Sequence, residues 1–197
     1  MRKKKKPKNA QPSTASHNTS APELIRAAIR TAGPPTPGEF AGTTGGTLAL
    51  DLGARCGWAV ADEEGQLAHY ARIRLDKAAT KKIKFSFFRE SLEALIRMFG
   101  PAVIAYEKTI AMPGVRGNWR PLLYYEGILT EVAECHNIPL RDIYPPTLKK
   151  HATGNGRASK EDMVAAAKKR WNIGTYMTIN DDIADALCIL DWSLGVV

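Results

Sequence analysis

The sequence predicts an α/β domain built on a mixed five-stranded sheet flanked by helices, and three observations predict it. Short apolar runs at 47–53, 57–62 and 66–74 follow one another with tight turns between them, Gly65 marking the second turn; that spacing fits an antiparallel meander. Apolar spacing then becomes helical over 80–99 and again over 118–136. Two further strands, 102–107 and 139–144, alternate with these helices. An order βββαβαβ followed by helices adds crossover connections to a meander, which requires both antiparallel and parallel pairing.

Each element has a local reason. AVIAYE (102–107) is apolar on both faces, as a strand covered from both sides must be. The helix at 80–99 carries Ile83, Phe87, Leu92, Leu95, Ile96 and Phe99 toward a core and stops at Gly100-Pro101. The helix at 118–136 presents Leu122, Leu129, Val132 and Ala133, with Trp119 read as a core residue at its start. Pro145 and Pro146 begin a short helix that Gly154-Asn155-Gly156 breaks. Ser159, followed by Glu161 and Asp162, caps a helix running to Trp171. Asn180 caps a last helix whose core stripe is Ile183, Leu187, Leu190 and Leu194.

Charge divides the chain. The net charge is +8 over 197 residues, yet residues 1–46 hold eight Lys/Arg against two Glu, a net of +6. The remaining twenty basic against eighteen acidic residues leave only +2. Residues 1–46 therefore read as a disordered basic tail, and 47–197 as the folded domain. Residues 22–31 have the pattern of a short helix formed on docking. A basic arm attracts phosphates through counterion release, or serves as a solubilising or nuclear-targeting-like tail. No apolar run of membrane-spanning length and no secretory leader pattern occurs, so a cytoplasmic, intracellular protein is expected. Cys56, Cys135 and Cys188 have no ligand-type spacing and read as reduced thiols.

Four acids stand where a core carboxylate is hard to explain. Asp51 and Glu107 each end an apolar strand; Asp182 and Asp185 lie three apart on the last helix, flanking its packing stripe. If the strands are neighbours, all four converge on one end of the sheet. Crowded carboxylates raise one another's pKa unless a cation compensates, and hard oxygen donors suit Mg²⁺, with Mn²⁺ a substitute. Two such ions about 4 Å apart activate water and stabilise the leaving oxygen of a phosphodiester. Taken singly, Asp51 and Glu107 read equally well as turn residues and the Asp pair as a solvated helix face. Asp181 reads as a first-turn acid complementing the helix dipole.

These segments resemble the RuvC-type Holliday-junction resolvases, nucleases with an RNase H-like core. LALDLGARCGWAVAD is similar to that family's first hairpin and AYEK to its second motif. PPTLKKHATGNGRASKEDMV is similar to its Lys before Gly-x-Gly-x-Ala-x-Lys stretch, and DDIADAL to its closing Asp-x-x-Asp-Ala-Leu. The resemblance covers about 47–194. It implies metal-binding roles for Asp51, Glu107, Asp182 and Asp185, and DNA contacts near the scissile phosphate for Lys149 and Lys160. It also implies a homodimer through the helix at 118–136, two ions per site, and paired symmetrical nicks in branched DNA, without membrane or nucleotide. The alternative for Lys149 and Lys160 is a solvated helix-face lysine; Lys150 and Arg157 are further DNA candidates by charge and position alone. The loop 112–120, which contains Arg116, reads as a mobile DNA-facing element. Where the family carries an aromatic wedge, this chain has Ile110 and Met112. The basic tail departs from the family pattern and suits a phage-borne or other mobile element.

Three rival readings remain at this stage. Asp51-Leu52-Gly53 also resembles the first phosphate turn of actin-like kinases, whose duplicated fold needs over twice the length. A related nuclease for flaps, forks or RNA–DNA hybrids would share the chemistry. A non-catalytic DNA-structure-binding protein is disfavoured by the presence of all four carboxylates.

Overall fold

Strand alternation decides which side of the sheet each residue serves. In the computed structural model, β1 (Thr47–Asp51), β2 (Arg55–Ala61) and β3 (Leu67–Arg74) form the expected antiparallel meander. β4 (Val103–Glu107) then pairs parallel with β1, and β5 (Leu140–Ile143) parallel with β4, giving the order β3-β2-β1-β4-β5. Residues 45–74, 81–110, 119–174 and 177–196 are described, except the side chains of 81–83 and 119. The basic tail, the helix expected at 22–31, Met112 and Arg116 lie outside them, as does the packing of Trp119.

One face of the sheet is large and apolar. Leu48, Leu50, Trp58, Val60, Ile104 and Tyr106 pack there against α1 (Lys81–Phe99) and α2 (Trp119–Cys135). Most expected core positions are buried, with one exchange: Phe88 takes the deep position on α1, and Phe87 is only partly buried. Phe88 stands four, seven and eleven residues before Leu92, Leu95 and Phe99, the helical spacing from which Phe87 is one position off.

The opposite face is made of small residues, Ala49, Gly57, Ala59, Ala61 and Ala105. Small side chains let a helix axis approach the backbone closely, and α5 (Asp181–Gly195) uses that room. A Cβ on Gly57 would lie 1.8 Å from the Asp182 carbonyl oxygen, so the first turn of α5 rests directly on β2. α5 is consequently buried nearly all round, from Ala184 through Leu190, and the expected narrow stripe is too modest; Ile183 and Leu194 are its partly buried members. α3 (Pro145–Thr153) and α4 (Lys160–Arg170) complete this layer. The caps form as read: Ser159 makes a capping box with Asp162, and Asn180 accepts from the Ile183 N–H. Cys56, Cys135 and Cys188 are free thiols. No helix among the described residues is long and apolar enough to cross a membrane.

Candidate active site

Asp51 and Glu107 continue the small-residue rows. Asp51 follows Ala49 by two positions and Glu107 follows Ala105 by two, so both side chains stand on the α5 face at the ends of adjacent parallel strands. Leu50 pairs with Tyr106, which sets Asp51 and Glu107 side by side one residue further on. The Glu107 strand end is held firmly: Ile143 pairs with Glu107, the Lys108 N–H donates to the Ile143 carbonyl at 2.9 Å, and the Thr109 N–H donates to Glu126.

The helix acids meet this pair from above. Burial pushes the Asp51 carboxyl well above the usual carboxylate range, and the charges of Asp185, Glu107 and Asp182 push it further. Burial, then Asp185, raises Glu107 to about 7, with Lys149 opposing. Asp185 is raised to about 6, first by burial and then by Asp181, against Lys160 and Lys149. Asp51, Glu107 and Asp185 accept no ion pair among the described residues and form one mutually repelling group.

Asp182 is placed differently. It is 9% exposed, and its Oδ2 accepts from Arg72 Nη1 at 2.8 Å, with Arg55 Nε at 3.8 Å. Asp181 is ion-paired with Lys160, which holds its carboxyl below the ordinary value. That pairing agrees with a supporting role for Asp181. Lys149 lies half-buried beside the acids, its Nζ donating to the Ala158 carbonyl at 2.9 Å. Lys150, in α3, and Arg157, in the turn after it, are exposed. Ile110 lines a cavity of about 210 Å³ with Asp51, Glu107, Lys108, Leu122 and Pro145. The structure thus brings all six catalytic candidates to one end of the sheet, with Asp182 also paired to two arginines. Those arginines were missed in the sequence; their signal, two Arg flanking Gly57 across a hairpin, needs the strand register to be seen.

The donor set fits a hard divalent cation, since repulsion among three partly buried oxygen acids is what such an ion relieves. The fit is chemical and not a finished cage: no group of three or more His, Cys, Asp or Glu among the described residues is arranged to hold a metal ion.

The raised acids have a consequence for stability. An acid protonated more readily in the fold than in the unfolded chain gives stability that is full below its unfolded pKa and lost as pH rises through its folded pKa. For Glu107 and Asp185 that window runs from about pH 4 to about pH 7, and Asp51 acts in the same direction. In EDTA the melting temperature should therefore fall across this window, and Mg²⁺ should reduce the fall. A flat or rising EDTA profile in thermal melts would contradict the cluster.

The crossover junction endodeoxyribonuclease RuvC of Rickettsia conorii is 32% identical over 136 residues, spanning 68% of this chain and 85% of that protein. The chain belongs to the RuvC family. RuvC of Thermus thermophilus has the same fold, with a TM-score of 0.62 at 20% identity, over 76% of this chain and 96% of that one. A second Thermus RuvC structure, in complex with Holliday junction substrate, superposes with a TM-score of 0.62 at 18% identity over 74% and 90%. No family model matches the chain. RuvC-family nucleases use divalent metals, in keeping with the acid cluster.

Proposed function

We propose that this chain is a divalent-metal-dependent endonuclease that resolves four-way DNA junctions. The observation that carries the reading is the meeting of Asp51, Glu107 and Asp185, acids distant in sequence, at one end of the sheet in a RuvC-family fold. Asp51, Glu107 and Asp185 would hold the cation, Mg²⁺ by preference and two ions when fully loaded, with Asp182 joining for the second. When bound, the cation supplies Lewis acidity, making a water a better nucleophile and offsetting charge on phosphate oxygens.

The chain's own residues do the rest. Lys149, already half-buried against the acids, sets an ammonium where a scissile phosphate would sit, and its bond to Ala158 fixes its reach. Lys160 shares its charge between Asp181 and the region of Asp185. Lys150 and Arg157 meet the backbone of the incoming arms, and the basic residues of 1–46 add sequence-independent attraction. Ile110, at the cavity wall, is an apolar side chain able to enter a base step. Symmetrical nicking of a four-armed substrate calls for two such sites related by a two-fold axis, hence a homodimer.

The test is a panel of synthetic four-way junction, flap, duplex and RNA–DNA hybrid, each with Mg²⁺ and with EDTA. The expected result is metal-dependent conversion of the junction to nicked duplexes, with the other substrates cut far more slowly. Preferential cutting of flaps or hybrids would shift the substrate assignment, and junction binding without any cleavage would end the enzymatic reading.

A further inference from the structure

Across the α5 face, at the level of the acids, one row of the sheet sets an arginine and an aspartate on either side of a glycine. Arg72 on β3 pairs with Gly57 on β2, and Gly57 pairs with Asp51 on β1. Arg55 stands on the same face as Gly57, two residues before it. Because Gly57 has no side chain, the first turn of α5 drops onto it and delivers the Asp182 carboxylate between the two guanidinium groups. Asp185, one turn further on, lies about 60° round the helix, within the influence of Glu107, Lys149 and Lys160. Of the two acids in the Asp-x-x-Asp pair, Asp182 is the one ion-paired with arginines.

We propose that Arg72 is a positioning residue that holds Asp182 and competes with a divalent ion for its carboxylate. The proposal deepens the metal-dependent reading above and rests on it. A guanidinium is charged at every relevant pH and donates in a fixed fork. Its side chain is 23% exposed here, against 53% for Arg55, so Arg72 is the better sheltered and closer partner. An Asp182 oxygen that already accepts a 2.8 Å charge-assisted bond must give it up, or share it, before it ligates an ion. Arg72 therefore sets how readily the Asp182 side of the cluster loads, without touching DNA or the reacting atoms.

The test is calorimetric titration of the full chain with Mn²⁺, comparing the parent protein with Arg72→Gln, Arg72→Lys, Arg55→Gln and Asp51→Asn. Arg72→Gln should bind Mn²⁺ about fivefold more tightly, the equivalent of roughly 1 kcal/mol. Arg72→Lys should bind roughly twofold more tightly, since a compact ammonium keeps the charge but loses the fork. A merely structural arginine would lower the melting temperature on removal and leave metal affinity unchanged or weaker; either result for Arg72→Gln overturns the proposal. If Arg72→Gln does not fold, Arg72→Lys decides: unchanged or weaker binding overturns it. Arg55→Gln should move in the same direction by a smaller factor. Asp51→Asn should bind poorly, and that separates the two ideas. Parent-like Mn²⁺ binding by Asp51→Asn, or none by the parent, overturns the metal-site reading together with this one. Loss of binding in Asp51→Asn alone, with unchanged Arg72→Gln, overturns only the role of Arg72.

Discussion

Asp51→Asn should reduce junction cleavage by a factor on the order of 10³ or more while leaving junction binding nearly intact. The same variant should melt at a higher temperature than the parent in EDTA. Both effects come from one cause. Asp51 is the acid on which every other member of the cluster acts, and its carboxyl is raised by burial and by Asp185, Glu107, Asp182 and Asp181 together. A neutral amide of the same shape removes that repulsion, so the empty-handed fold relaxes, and it removes a hard anionic donor, so the loaded enzyme fails. Glu107 and Asp185 should also titrate closer to their ordinary range in the variant, flattening the pH dependence of melting in EDTA. Cleavage assays on a junction, with filter binding in Ca²⁺ and melts in EDTA, check all three. Retained cleavage would remove Asp51 from the site, and a lower melting temperature in EDTA would show that its charge is not under strain.

The acids were legible because strand ends and helix caps are local signals. An Asp after Thr-Leu-Ala-Leu, a Glu after AVIAY, and an Asn180 cap preceding Asp-x-x-Asp each announce a boundary, and the crossover order then makes the strands of Asp51 and Glu107 neighbours. What stayed hidden depends on distance across the sheet. Gly57 reads as the first residue of the second strand run, and nothing in the sequence marks it as the residue that pairs with both Asp51 and Arg72 under a helix. The alanines at 49, 59 and 105 look merely apolar, yet their smallness sets how deeply α5 sits. The Arg72–Asp182 pair joins residues 110 positions apart and follows from register plus a helix crossing, neither of which periodicity encodes. The exchange of Phe87 for Phe88 is different in kind, since the spacing to Leu92, Leu95 and Phe99 already favours Phe88 and the residue was legible.

Gly57→Ala should be among the most damaging single methyls in the described part of the chain. Its Cβ would fall 1.8 Å from the Asp182 carbonyl oxygen, 2.4 Å from that carbonyl carbon and 3.1 Å from the Ile183 nitrogen. These are backbone atoms of a capped helix turn, so no flexible side chain can swing aside. Relief requires lifting the α5 N-terminus, which is the element that carries Asp182 and Asp185 over the sheet end. Overpacking of this kind costs on the order of 3 kcal/mol, which for a domain of this size lowers the melting temperature by about 10 °C. A displacement near 1 Å of the helix acids should cost a further 10²-fold or more in cleavage, measured where the variant is still folded. Gly174→Ala is the control, because nothing lies within 4 Å of its added methyl and both stability and cleavage should stay near the parent's. A Gly57→Ala protein with parent-like melting and cleavage would mean that α5 does not rest on β2 at this point, and the close approach that delivers Asp182 and Asp185 to the strand ends would have to be abandoned.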